Sequence, residues 1–158
     1  MGNDVSVKIE NVVFNFRVAC FIENDNHILL STSKNIDFWN LPGGRVKIGE
    51  STLDAIKREL KEELDLTNVE PKLIHIAENM FFWLGNNVHE LCFFYKLNLP
   101  DSHPLTCVDN LLNLEDLNET FKWFNKNQIK HLKCLPEIIY SLVNKDENIS
   151  HSIKPLEK

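Results

Sequence analysis

Hydrophobic positions change their period along the chain, and the changes mark the elements. Val5, Val7 and Ile9 alternate with polar neighbours, the two-residue period of a short edge strand. Arg17 to Ile22 is an apolar run, Glu23-Asn24-Asp25-Asn26 supplies turn residues, and His27 to Leu30 returns as the second arm of a predicted hairpin. A polar loop over 31–37 follows. Phe38-Trp39-Asn40-Leu41 then leads into Pro42-Gly43-Gly44, a break where the backbone is expected to need positive φ. From Ser51 the period becomes helical. Leu53, Ile56, Leu60 and Leu64 form one apolar stripe, and Ser51 with Asp54 resembles a capping box, so a helix is predicted to run to about Asp65.

Two longer strands are predicted at Val69–Ala77 and Val88–Leu97. In the second, His89, Leu91, Phe93, Tyr95 and Leu97 share one face, and Glu90, Cys92, Phe94 and Lys96 share the other. A mostly acidic connection over 100–118 leads to a short strand, Phe121–Phe124, and Pro136 opens a last helix predicted to reach about Val143. Residues 144–158 are polar and expected to be disordered. No repeat or boundary divides residues 1–143, which read as one domain.

Composition narrows the classes. With 158 residues, 43% of them hydrophobic and 25% charged, the chain can bury a proper core. A net charge of −6 argues against binding duplex DNA through its phosphates, but leaves a nucleotide ligand open. Cys20, Cys92, Cys107 and Cys134 form no C-x-x-C pair and point to a reducing, cytoplasmic setting. No apolar run has the length of a membrane span, and no signal peptide opens the chain. Met1-Gly2 with Ser6 matches a short acylation pattern that often occurs by chance.

The chemistry concentrates in the helix. Glu59 and Glu63, four apart, lie at the edge of its apolar stripe, and Glu62 flanks them. Like charges at that spacing cost a few tenths of a kcal/mol when exposed, and more in lower dielectric. One reading is a solvated charged face. The other is an oxygen-only site for Mg²⁺ or Mn²⁺, ions that prefer carboxylate, carbonyl and water ligands. The glycines Gly43-Gly44 would let backbone approach such a site closely.

The stretch Gly44–Leu66 resembles the Nudix box, G-x5-E-x7-R-E-U-x-E-E-x-G-U with U aliphatic. Gly44, Glu50, Arg58, Glu59, Leu60, Glu62, Glu63 and Leu66 occupy eight of its nine defined positions; Asp65 stands where the box has glycine. Leu41-Pro42-Gly43 resembles the family's usual lead-in. The resemblance implies an α/β/α sandwich around a mixed central β-sheet. It also implies Mg²⁺- or Mn²⁺-dependent hydrolysis of a pyrophosphate bond in a nucleoside diphosphate linked to another moiety. Under it, Glu59, Glu62 and Glu63 hold the ions, with Glu59 or Glu63 placed to deprotonate water. Arg58 fixes a box glutamate, the Gly43 carbonyl completes the metal shell, and Gly44 and Glu50 support the site. Asp65 ends the helix and carries no catalytic role; if left-handed backbone is needed there, Asp tolerates it better than most residues.

Outside the box, Glu90 and Glu78 are the candidates for a further metal-binding or catalytic acid. Arg17 and Arg45 are the candidate phosphate ligands. Phe82, within Phe81-Phe82-Trp83, is the candidate aromatic platform for a base in a predicted loop. Relatives of the family are often dimers, so a homodimer is an expectation. A catalytically silent nucleotide-binding module on the same fold is the rival function, and no motif names the substrate.

Overall fold

The computed structural model describes residues 3–108 and 110–156; Met1 and Gly2 of the acylation pattern lie outside them. Its strands are β1 (Ser6–Ile9), β2 (Val12–Asn24), β3 (His27–Ser33), β4 (Gly43–Arg45), β5 (Lys72–Trp83), β6 (Asn86–Asn98), β7 (Asn110–Leu112), β8 (Glu119–Asn125) and β9 (Ser150–Lys154). Helix α1 spans Thr52–Leu64, α2 is a single turn at Ile139–Leu142, and 3₁₀ turns cover Pro104–Cys107 and Lys126–His131. Among the described residues the strands join one mixed sheet in the order β7-β8-β3-β2-β6-β5-β9, with β1 and β4 also paired to β2.

Strand β2 is the axis. It pairs antiparallel with β1, β3 and β4 and parallel with β6 from Val12↔Asn87 to Glu23↔Asn98. Its alternation sends Val18, Cys20 and Ile22 to one face, where Ala55, Ile56, Leu60 and Leu64 of α1 bury them. Ala19 and Phe21 point to the other face, under Ile129, Ile139, Leu142 and Val143. The expected layers are therefore present: α1, a mixed sheet, and a second layer of short helical turns.

Both ends of α1 follow the sequence. Ser51 Oγ accepts from the Asp54 N–H at 3.1 Å. Asp65 closes the helix with φ 53°; its N–H bonds the Lys61 carbonyl at 3.0 Å, and the Leu66 N–H bonds the Leu60 carbonyl at 3.1 Å. The box position that usually carries glycine is left-handed here, which is what Asp has to tolerate.

Several expectations are corrected. Leu53 belongs to the predicted apolar stripe but is 37% exposed; Ala55 takes its place against the sheet. The strand predicted at Arg17–Ile22 runs over Val12–Asn24, because β6 pairs along its whole length. Phe81, Phe82 and Trp83 are not in a loop but end β5. The last helix begins at Ile139, three residues after Pro136, and is short.

The tail expected to be disordered contributes β9, parallel to β5 from His75↔Ser150 to Asn79↔Lys154. Buried His75 fastens it through both ring nitrogens, to Ser150 Oγ at 2.7 Å and Ser152 Oγ at 2.8 Å. Its polar side chains hide a strand whose stability comes from the backbone ladder of β5.

Candidate metal and phosphate site

The site forms where β4 passes under α1. Gly43 and Gly44 face Ala19 and Val18 across the β2–β4 ladder. Gly43 has φ 143°, and a Cβ there would meet the Val18 carbonyl oxygen at 2.3 Å. A Cβ on Gly44 would fall 2.3 Å from Glu59 Oε1. One glycine therefore admits the neighbouring strand and the other admits the carboxylate of α1. The Gly43 N–H also donates to Glu63 Oε2 at 3.2 Å.

Arg58 braces the helix to the preceding loop. Its Nε and Nη2 donate to Glu50 at 2.8 and 3.0 Å, and Nη1 donates to Glu59 Oε1 at 2.7 Å and Glu62 Oε2 at 2.8 Å. Nη2 reaches the Arg45 carbonyl at 3.0 Å. The Lys47 N–H fixes Glu50 from behind at 3.0 Å. This fork of charge-assisted bonds holds Glu50 below the usual carboxylate range.

Glu59 and Glu63 are 7% and 6% exposed. Burial raises the Glu59 carboxyl despite its bond to Arg58, with Glu62 and Glu115 adding to the rise. Glu63 receives no bond from Arg58. Burial first, then the charges of Glu119 and Glu59, push its pKa up to about 9, and the Gly43 N–H offsets this only in part.

Glu115 was missed in the sequence. One oxygen each from Glu59, Glu62 and Glu115 lie within 4.8 Å of one another. The predicted trio is thus regrouped: Glu115 stands beside Glu59 and Glu62, while Glu63 turns to Gly43. The Leu114 N–H bonds the Glu63 carbonyl at 3.0 Å and ties the acidic connection to the end of α1. Buried Asn113 shapes that connection. Its Oδ1 accepts from the Glu115 and Asp116 N–H groups at 2.8 and 3.0 Å, and its Nδ2 donates to Glu119 Oε2 at 2.7 Å. The acidity of residues 100–118 was the available signal, but nothing local says which carboxylate reaches α1.

Beside the carboxylates lies a cavity of about 350 Å³ lined by Arg17, Gly44, Arg45, Lys47, Arg58, Glu59 and Glu115, with Asp4 at its rim. Arg17 and Arg45, the candidate phosphate ligands, line this cavity. Glu90 and Glu78 stand outside the carboxylate group: Glu90 faces Arg17 and Asn79, and Glu78 pairs with His151 at 2.8 Å. Phe82 is 65% exposed near the tip of the β5–β6 hairpin and does not line the cavity.

A donor set made only of oxygens, in which Glu59 is buried without full charge compensation, fits a hard divalent cation. The arrangement coincides with a family pattern, for the model of the NUDIX domain matches residues 13–144. The chain belongs to the Nudix family. An RNA pyrophosphohydrolase of Ruthia magnifica subsp. Calyptogena magnifica is 40% identical over 60 residues, 37% of this chain and 34% of that one. An ADP-ribose pyrophosphatase of Methanocaldococcus jannaschii is 50% identical over 48 residues, 28% of each chain. The matched stretches span about a third of these curated relatives. The MutT protein from Bacillus halodurans shares the fold, with a TM-score of 0.65 at 21% identity, over 88% of this Nudix chain and 90% of that one. MutT from Methanosarcina mazei aligns with a TM-score of 0.58 at 22% identity, over 86% and 94%. Beyond the match, β9 extends the Nudix sheet past residue 144.

Proposed function

We propose that this Nudix protein hydrolyses a pyrophosphate bond in a nucleoside diphosphate linked to another moiety, with Mg²⁺ or Mn²⁺ as cofactor. The observation that carries the reading is the juxtaposition of two buried, incompletely neutralised glutamates with a cavity rimmed by Arg17, Arg45 and Lys47. Glu59, Glu62 and Glu63 with Glu115, and the Gly43 carbonyl, offer the ligands. A bound divalent ion would supply neutralisation of diphosphate charge and activation of water. The chain's own residues do the rest. Arg58 and Glu50 hold Glu59 and Glu62 in place, Gly44 leaves room for the Glu59 carboxylate, and the three cations receive phosphate oxygens. Glu63, with its pKa near 9 before any cation arrives, is the group whose charge state a cation would change most and the proposed acceptor of the water proton.

The two named relatives act on different substrates, so no particular nucleotide is assigned. Cys20, Cys92 and Cys134 are free and buried, which supports a reducing cytoplasmic setting. A homodimer is part of the proposal and is read by light scattering.

The test is product release from a panel of nucleoside triphosphates, dinucleotides and nucleotide sugars with Mg²⁺ and Mn²⁺, using wild type and Glu63→Gln. Turnover by the wild type that is lost in the variant supports the reading. Equal rates in both proteins would refute the catalytic assignment, and nucleotide binding without turnover would favour the silent module.

A further inference from the structure

The cations around the cavity are held in two ways. Arg58 makes its bonds at 2.7 to 3.0 Å. Arg17, Arg45 and Lys47 approach their carboxylates only to 3.8, 3.7 and 4.0 Å. The first pattern is a finished structural joint. The second leaves guanidinium and ammonium donors unspent beside the place a phosphate would occupy.

Arg17 differs from the other two in its partner. Asp4 and Glu62 are partly exposed, whereas Glu90 is 7% exposed and rooted in the sheet. Glu90 lies between register partners, Asn15 on β2 and Asn79 on β5. Asn79, equally buried, donates to Glu90 Oε1 at 3.4 Å, and Glu90 Oε2 is turned to Arg17. Two residues along β2 on the same face, Arg17 runs from this carboxylate to the cavity wall. A buried carboxylate ordinarily accepts close bonds from all sides. Here it orients a guanidinium without satisfying it.

We propose that Glu90, anchored by Asn79, is a positioning residue that aims the Arg17 guanidinium at a substrate phosphate. This replaces its expected role as a metal ligand or base, and it rests on the pyrophosphate reading above. A guanidinium aimed in advance loses less side-chain freedom when it takes a phosphate in its planar fork. The effect of Glu90 should therefore appear in phosphate affinity and pass entirely through Arg17.

The test is a double-variant cycle read by calorimetric titration with inorganic pyrophosphate and Mg²⁺, alongside steady-state kinetics on the best substrate of the panel. Arg17→Ala and Glu90→Gln should each weaken pyrophosphate binding about five- to tenfold, and the double variant should be no weaker than Arg17→Ala alone. In kinetics Glu90→Gln should raise KM by a similar factor and leave kcat within about twofold. Additive losses, or a fall in kcat at unchanged pyrophosphate affinity, would overturn the proposal. Should Glu90→Gln fail to fold, Asn79→Ala replaces it in the same cycle, and wild-type affinity in that variant would be equally fatal. The titration needs no turnover: a wild type that binds pyrophosphate but hydrolyses nothing refutes the hydrolase reading while the coupling is still measured. A wild type that does not bind pyrophosphate overturns the coupling itself.

Discussion

Glu63 gives the site an electrostatic cost that can be measured without any substrate. In the folded chain without metal its pKa is raised from 4.5 to about 9, through burial and the charges of Glu119 and Glu59. Below pH 4.5 the carboxyl is protonated in both folded and unfolded chains, and this contribution to stability is fully present. As the pH rises the unfolded chain releases its proton first, so the folded state loses stability until Glu63 itself ionises near pH 9. At about 1.4 kcal/mol per pH unit, the whole window amounts to about 6 kcal/mol, an upper figure because neighbouring carboxylates share the proton. That is large against a typical total of about 5–15 kcal/mol. Glu59, also raised by burial, acts with the same sign, whereas the lowered pKa of Glu50 acts only toward acid. The assay is urea unfolding of chelator-treated protein at half-unit steps from pH 5 to 9, with and without Mn²⁺. Metal-free wild type should lose several kcal/mol across the range, Mn²⁺ should flatten the slope, and Glu63→Gln should be the more stable protein at pH 8 while losing hydrolysis. A metal-free slope that is undiminished in Glu63→Gln would refute this account of the site.

Other predictions follow from individual contacts. Gly44→Ala places a methyl group where Glu59 Oε1 now sits, so kcat should fall about 100-fold with a modest loss of stability, because the end of a flexible side chain can move. Arg58→Lys cannot reproduce a fork that serves Glu50, Glu59 and Glu62 at once; urea unfolding should show a loss of about 3 kcal/mol, with activity nearly abolished. His75→Ala removes its two side-chain bonds to β9, at about 1–3 kcal/mol, and should make the Ser150–Lys154 segment more open to limited proteolysis while leaving kcat unchanged.

Residues whose geometry is local were legible from the chain. Glu59, Glu62 and Glu63 share a helix with Leu60 and Leu64, so spacing alone places them at its buried edge. Ser51 and Asp65 mark its ends through bonds to backbone a few residues away. Alternation in β6 assigned Phe93 and Tyr95 to one face and Cys92 and Phe94 to the other, as the two cores show. The glycine pair announced a close approach, although not that one glycine would serve β2 and the other Glu59.

What stayed hidden depends on contacts between distant segments. Glu115 reaches the box glutamates because the Leu114 N–H caps a carbonyl of α1 and Asn113 folds the connection behind it. Glu90 is an acid on a strand in any reading of the sequence; the pairing of β6 with β2 turns it toward Arg17 and away from the carboxylates. Phe82 looked like a platform and stands outside the cavity, and a polar tail became β9 because β5 had an edge to offer. Side-chain period is written along one strand or helix and can be read there. Which strand lies beside which, and where a loop returns, is settled by backbone hydrogen bonds, and these carry no mark of residue type.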